Sequence, residues 1–285
     1  RHKERETKSR REPGIIANFV RDFALQKWGQ ASVHFSLSDI QPDVAYCRSF
    51  VGAKASSDLE IPFVVETHMA PDEAAKERNQ SLLQEITSSD HYKGLITISP
   101  ILKDAFASHG VPFETIHILA DPVDIEKFGM EADLPLELPY SLNTVSYTGH
   151  FFDYKGIQTM ISAAELAPDL HFNFVGGFSQ DVQRVQRILR RKAILNVDLL
   201  PWMTRTELAV FLKKPQILCL PNEAWHPSAK WTSPMKLGEY LATGNPILAS
   251  DVYAHKYWLG TGLVDYFEAG NPHSMVGQIR DMQSK

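Results

Sequence analysis

Ten short strand-like runs, set apart by helical segments, constrain this chain more than any other feature of its sequence. They are "DVAYC" (43–47), "PFVVET" (62–67), "GLITIS" (94–99) and "TIHILA" (115–120), then "TVSYTG" (144–149), "HFNFVG" (171–176), "NVDLL" (196–200), "QILCLP" (216–221), "PILAS" (246–250) and "GLVDYF" (262–267). Strands separated by helices cannot pair as hairpins, so they lie parallel in a sheet with helices on its faces. Between the two sets, "DPVDIEKFGMEADLPLELPYS" is rich in acids and prolines and reads as a linker. The sequence therefore predicts two α/β domains, residues 1–130 and 131–285. The second is a complete doubly wound parallel sheet, whereas the first has too few strands to match it and is expected to be incomplete.

Within this frame, "PILKDAFASHG" opens on Pro100 and closes on Gly110 as a helix should, and "GIIANFVRDFALQKW" carries Ile15, Ile16, Phe19 and Phe23 at helical spacing. A formal charge of -5 and a pI near 6.1 give no broad electrostatic case for nucleic acid. No apolar run approaches the roughly 20 residues that span a bilayer, and "RHKERETKSRREPG" does not resemble a signal peptide, so the expected compartment is the cytoplasm. The basic stretch Arg1 to Arg11 offers a peripheral contact with the anionic inner membrane face, diluted by Glu4 and Glu6. Cys47 and Cys219 sit alone in apolar runs, which is the pattern of two buried thiols rather than of a disulfide or a zinc cluster.

Ligands of open α/β sheets bind at the carboxyl ends of strands. Three strand-to-helix junctions of the second half carry residues that packing alone does not require. In "YTGHFFDYKGIQTMISAA" the strand ends at Gly149, and Lys155-Gly156 precede a helix whose buried stripe is Ile157, Met160, Ile161 and Ala164. A lysine at a helix mouth, beside backbone N–H groups, suits a phosphate. In "FVGGFSQD" the pair Gly176-Gly177 precedes Ser179, read as a cap. Neither the P-loop order nor the G-x-G-x-x-G order occurs, which weighs against a P-loop nucleotidase and against nicotinamide or flavin chemistry.

The third junction, "TSPMKLGEYLATGNPILASD", poses a problem of charge. Ser233 and Pro234 read as cap and first residue of a helix that stops at Gly244, which puts Lys236 at the positive end of the helix dipole. Lys236, Glu239 and Thr243 would share one polar stripe, opposite Leu237 and Leu241. A solvated ion pair is the bland account, but its order is unfavourable. A bound anion reverses the sign, because the lysine and the helix N-terminus would attract the same phosphate. Glu239, one turn deeper, could accept hydrogen bonds from paired sugar hydroxyls, as the acid of a dinucleotide site does for ribose.

"SPMKLGEYLATGNPILASD" resembles the donor-site motif of the GT-B glycosyltransferases of family 4, whose wording is close to S-P-x-K-L-x-E-Y-x-A-x-G-x-P-I. "GHFFDYKG", "NVDLLPWMTRTELAVFL", "ILCLPN", "LITISPILKDAFASHGVP" and "ILADPVDIEKF" agree in order, so the resemblance runs from about residue 42 to about residue 275. It implies a GT-B fold of two Rossmann-like domains. It also implies a retaining hexosyltransferase, with a UDP- or GDP-sugar as donor substrate, no cofactor, and a glycan or lipid-linked acceptor; no D-x-D or H-E-x-x-H sequence occurs, so the reaction is expected to be metal-independent.

Carried onto this chain, the resemblance has Glu239 bind the ribose and Lys155 neutralise the donor diphosphate. Ser233, Pro234 and Lys236 supply the helix mouth and its cation, and Gly149 and His150 stand where many members have Gly-Arg. Gly176 belongs to the second junction, and Trp202 is offered as a stacking partner for the base. "VVETHMAP" resembles the strand end whose histidine, here His68, faces the transferred sugar, so that His68 and Lys155 are the implied catalytic residues. The family's E-x7-E pair is broken, because position 231 holds Trp231 and Glu223 is out of register. Two other readings of the same residues are a non-catalytic nucleotide-sugar-binding remnant and a GT-B nucleotide-sugar epimerase.

Overall fold

The computed structural model of the chain describes residues 31–71, 78–129, 143–214, 216–260 and 262–284. The expected helix over 14–28, the basic stretch Arg1 to Arg11 and most of the linker lie outside the described residues. The described residues fall into two compact units, the first holding those up to 97 and 103–117, the second 98–102 and those from 118 onward.

In the first unit β1 (Ala45–Cys47), β2 (Phe63–Thr67), β3 (Tyr92–Thr97) and β4 (Ile116–Ile118) form a four-stranded sheet in that order. Between them run α1 (Phe50–Asp58), α2 (Arg78–Thr87) and α3 (Pro100–Ser108). Ser49 caps α1 by accepting the Gly52 N–H, and Gly110, at φ +91, follows the end of α3 as the sequence predicts. Phe63, Val65, Leu83, Ile86, Leu95 and Phe106 are the centre of this unit's core.

The second unit begins earlier than the linker reading allows. Residues 125–128 form α4 (Ile125–Phe128), capped by Asp124, and Phe128 is fully buried in the second core. Acidic composition concealed one aromatic anchor. The helix below it has also made room: a β-carbon on Gly238 would lie 2.9 Å from Cβ of Val123, so glycine mid-helix is the condition for this close approach.

The second sheet comprises β5 (Thr144–Gly149), β6 (His171–Gly176), β7 (Val197–Leu200), β8 (Ile217–Leu220), β9 (Ile247–Ser250) and β10 (Asp265–Phe267), in spatial order β10-β9-β8-β5-β6-β7. The registered neighbour pairs are parallel. The helices are α5 (Ile157–Leu166), α6 (Ser179–Arg191), α7 (Arg205–Leu212), α8 (Met235–Ala242), α9 (Tyr253–Leu259) and α10 (Pro272–Ser284). Alternate residues feed two cores: Phe172 and Phe174 of β6 pack with α5, α6 and α10, while Val175 packs on the opposite face with α7 and α8. Helices on both faces make this a doubly wound sheet whose order reverses between β5 and β8, and a crevice opens at such a switch point.

Candidate functional site

Gly149 and Gly176 are paired in register at the ends of β5 and β6, beside the switch point. Both have positive φ, at +128 and +105, and a β-carbon on Gly176 would sit 2.8 Å from the Gly149 carbonyl oxygen and 3.4 Å from the Trp202 ring. Glycine at both ends lets the backbone turn outward and leaves open the space above the strands. Across the switch point, Gly156 (φ +77) precedes α5, and its β-carbon would fall 1.8 Å from the Pro221 carbonyl, so only glycine holds the Lys155 turn against the end of β8.

Around these strand ends lies a cavity of about 510 Å³. All nine residues that the sequence nominates for donor binding line it: Gly149, His150 and Lys155 after β5, Gly176 after β6, Trp202 after β7, and Ser233, Pro234, Lys236 and Glu239 at α8. Residues as distant in the sequence as Gly149 and Glu239 meet here because parallel strands deliver every β-to-α loop to the same edge.

Lys236 is half-buried, with Nζ 3.8 Å from the centre of the Tyr147 ring. Among the described residues neither it nor Lys155 forms an ion pair within 4 Å. Burial lowers the pKa of Lys155, and burial together with the charge of Lys155 holds Lys236 well below the ordinary lysine range. Two converging cations are thus left without a counter-charge to match them. The acid of this site is Glu239, 8% exposed, whose pKa burial raises against the opposing pull of Arg205 and Lys236. Arg205 Nη2 stands 3.8 Å from its Oε1.

The helix mouth differs in detail from the sequence reading. Pro234 occupies the N-cap position of α8 and no side chain caps the helix, while Ser233 Oγ accepts the Asp121 N–H at 3.2 Å. The first turn of α8 therefore keeps unsatisfied N–H groups beside the Lys236 cation. Thr243 does not continue the polar stripe: it is buried at the C-terminal end and its hydroxyl donates to the Tyr240 carbonyl, while Leu241 is exposed. Likewise Phe178, not Ser179, stands at the N-cap of α6, with no side-chain cap bond. Glu223, out of register in the sequence, accepts a hydrogen bond from Thr159 Oγ1 at 2.5 Å and does not line the cavity.

His150 stacks on Phe178 at 4.5 Å and on Phe152 at 5.2 Å, with Trp202 5.6 Å away. Its Nδ1 is buried without a hydrogen-bond partner. Trp202 is 66% exposed, the largest apolar surface on the cavity rim. Sequence reasoning missed Arg205, although the signal was present: it opens α7 immediately after the Thr204 cap, the same cation at a positive helix end that singled out Lys236. Tyr240 was missed as well; its hydroxyl accepts the Thr148 N–H at 3.0 Å and ties α8 to β5.

His68 belongs to the first unit. It follows β2, with Nε2 2.5 Å from Glu66 Oε1 and 3.1 Å from Arg48 Nη1. Burial works against ionisation of Glu66, but Tyr46, His68 and Arg48 outweigh it and hold the carboxyl below its usual range. The Tyr46 hydroxyl, which donates to Glu66, is pushed up to about 12 by burial and by that carboxylate.

No curated protein matches this chain. Solved structures do. Anabaena Alr3699/HepE in complex with UDP and glucose superposes with a TM-score of 0.69 at 17% identity, covering 92% of this chain and 72% of its own. The sucrose-phosphate synthase of Thermosynechococcus elongatus gives 0.69 at 16%, covering 92% and 70%. The lipopolysaccharide outer core galactosyltransferase WaaB, in apo form, gives 0.61 at 18%, covering 93% and 73%. At such identities the likeness is one of fold, and that fold is GT-B, with two Rossmann-like α/β domains. Residues 143–284, which contain the whole second sheet and its cavity, match the family described as "Glycosyl transferases group 1". The second half of this chain is thus similar to the group 1 glycosyltransferases, in a chain of GT-B fold.

Proposed function

We propose that the cavity binds a nucleoside-diphosphate sugar and that the chain transfers its hexosyl unit, with retention of anomeric configuration, to a hydroxyl of a glycan or lipid-linked acceptor. The observation that carries this reading is the pair of half-buried cations, Lys155 and Lys236, without an ion-pair partner among the described residues and set beside the uncapped start of α8. A diphosphate supplies the missing charge, and binding restores both lysines toward their ordinary pKa. Glu239 accepts from the ribose hydroxyls, and Trp202 offers its exposed face to the base. Gly149, His150, Gly176, Ser233 and Pro234 form the walls between them. UDP or GDP fits this chemistry equally, and HepE, similar in fold, is a protein solved with UDP.

During transfer the acceptor oxygen forms a bond to the anomeric carbon on the face from which the phosphate departs, while the bond between that carbon and the phosphate oxygen breaks. The acceptor proton passes to the leaving phosphate oxygen. Charge builds on the nucleoside diphosphate, and Lys155, Lys236 and the α8 N-terminus stabilise it where it forms, without a requirement for a divalent metal. His68, positioned by Glu66 and Arg48, is assigned to the transferred sugar and acceptor by the motif it shares with the family.

The test is acceptor-dependent release of nucleoside diphosphate from UDP- and GDP-hexoses, with a total glycolipid extract as acceptor. The reading expects release that needs the extract and disappears in Lys155→Ala/Lys236→Ala. Release that is independent of acceptor, or that survives loss of both lysines, contradicts it.

A further inference from the structure

Residues 182–197 contain five cations and no acid, in a chain whose overall charge is -5. Most of this run is α6, which buries Val185 and Leu189 against the second core. At about 100° per residue, Gln183, Arg187, Arg190 and Arg191 fall on the side opposite the buried stripe, and all four are exposed. Arg184 is neutralised by Asp153 and Asp181, and Lys192 pairs with Glu165. Arg187, Arg190 and Arg191 have no carboxylate partner among the described residues; Arg187 Nε donates only to the Gln183 carbonyl at 3.3 Å.

The helix ends on Ala193 at φ +51, a left-handed position filled by a residue with a β-carbon. The turn presents Leu195, 93% exposed, beside the arginines. Next to it lies an open hollow of about 500 Å³ lined by Leu189, Arg190, Ile194, Leu195, Val197 and Leu199. A solvated helix face explains arginines, but not a leucine held in water next to an apolar hollow.

We propose that the outer face of α6 and the 193–195 turn dock on a bilayer surface of anionic phospholipid. Phosphate headgroups meet Arg187, Arg190 and Arg191, and Leu195 enters the boundary with the acyl chains. Charge complementarity selects an anionic partner, and the leucine with its hollow selects a lipid surface over a nucleic acid, whose backbone offers nothing for an apolar side chain to enter. This site is separate from the cavity at the strand ends and does not rest on the nucleotide reading.

The experiment is co-sedimentation of the full chain with vesicles of phosphatidylcholine and phosphatidylglycerol in equal parts, and with phosphatidylcholine alone. The chain is expected to bind the mixed vesicles and not the neutral ones. Arg187→Gln/Arg190→Gln/Arg191→Gln should weaken binding by about tenfold or more, since each basic residue near such a surface contributes severalfold. Leu195→Ser should weaken it severalfold, with unchanged melting curves in both variants. Absence of binding to the mixed vesicles overturns the proposal. So does equal binding by the triple variant, which would assign the contact elsewhere in the chain. Full displacement by a DNA duplex, with Leu195→Ser behaving as the parent, overturns it in favour of a general polyanion surface.

Discussion

A β-carbon on Gly149 would come 3.1 Å from Nζ of Lys236, so the strand end and the lysine occupy space that only glycine leaves free. Gly149→Ala combines a forbidden φ of +128 with displacement of the ammonium. It is expected to destabilise the chain by about 1–2 kcal/mol and to weaken nucleoside-diphosphate binding by about tenfold or more. Thermal melts and a calorimetric titration of the same preparation measure both.

Lys236→Met separates binding from folding. The lysine's charge is half-buried without an ion pair among the described residues, so replacing it with an apolar chain of similar length should leave the unliganded stability unchanged or raise it by about 1 kcal/mol. The same change should cost about 1.5–3 kcal/mol of diphosphate affinity. Melting curves with and without UDP or GDP read out the two effects; a large loss of stability would assign Lys236 to the scaffold.

The lowered lysine pKa values carry a sign. Between the folded-state pKa of Lys155 or Lys236 and the ordinary value near 10.4, the unfolded chain binds more protons, so stability rises with pH through that window. A diphosphate favours the protonated lysines, so binding takes up protons there and affinity falls as pH climbs. On the acid side, Glu239 has a raised pKa and accepts hydrogen bonds only when ionised, so affinity falls again as pH drops through that value. Titrations in buffers of different ionisation enthalpy should show proton uptake in the alkaline window, and Lys155→Ala/Lys236→Ala should abolish it.

Gly156 is a scaffold position with functional reach. Its β-carbon would sit 1.8 Å from the Pro221 carbonyl oxygen, a contact with backbone that no rotamer relieves. Gly156→Ala is expected to destabilise the second unit by about 3 kcal/mol or more, seen as a lowered melting temperature, whereas Gly277→Ala, whose new methyl group would enter open space, should be neutral or slightly stabilising.

His68→Ala is expected to abolish transfer while leaving nucleotide affinity as in the parent, measured by product formation and by titration of the same sample. Unchanged turnover would remove His68 from the reaction.

All ten strand-like runs became strands, because β-branched and aromatic runs between helices have few alternatives once both faces must be buried. The strand beginning at Tyr92 starts two residues before its run, since Tyr92 packs on Phe63 and bonds Thr115 across the sheet. The cavity residues were legible for a topological reason: parallel strands gather their carboxyl-end loops, so odd residues at three separate junctions converge. What stayed hidden depends on contacts between distant segments. Ser233 reads as a cap by local rules, yet its oxygen serves Asp121. Phe128 sits in an acidic stretch that local composition assigns to a linker, and only the folded core, where it clusters with Leu237 and Tyr240, shows where it packs. Arg205 carries the same signal as Lys236, a cation in the first turn of a helix, beside the Thr204–Glu207 capping box.

Calorimetric titration of the full chain with UDP and with GDP, repeated on Glu239→Ala, tests the central claim most directly. The account predicts saturable binding of one nucleotide, weakened by at least ~1.4 kcal/mol in the variant, which is tenfold in affinity. Binding of neither nucleotide, or equal binding by Glu239→Ala, would contradict the assignment of this cavity to a nucleoside diphosphate held through Glu239.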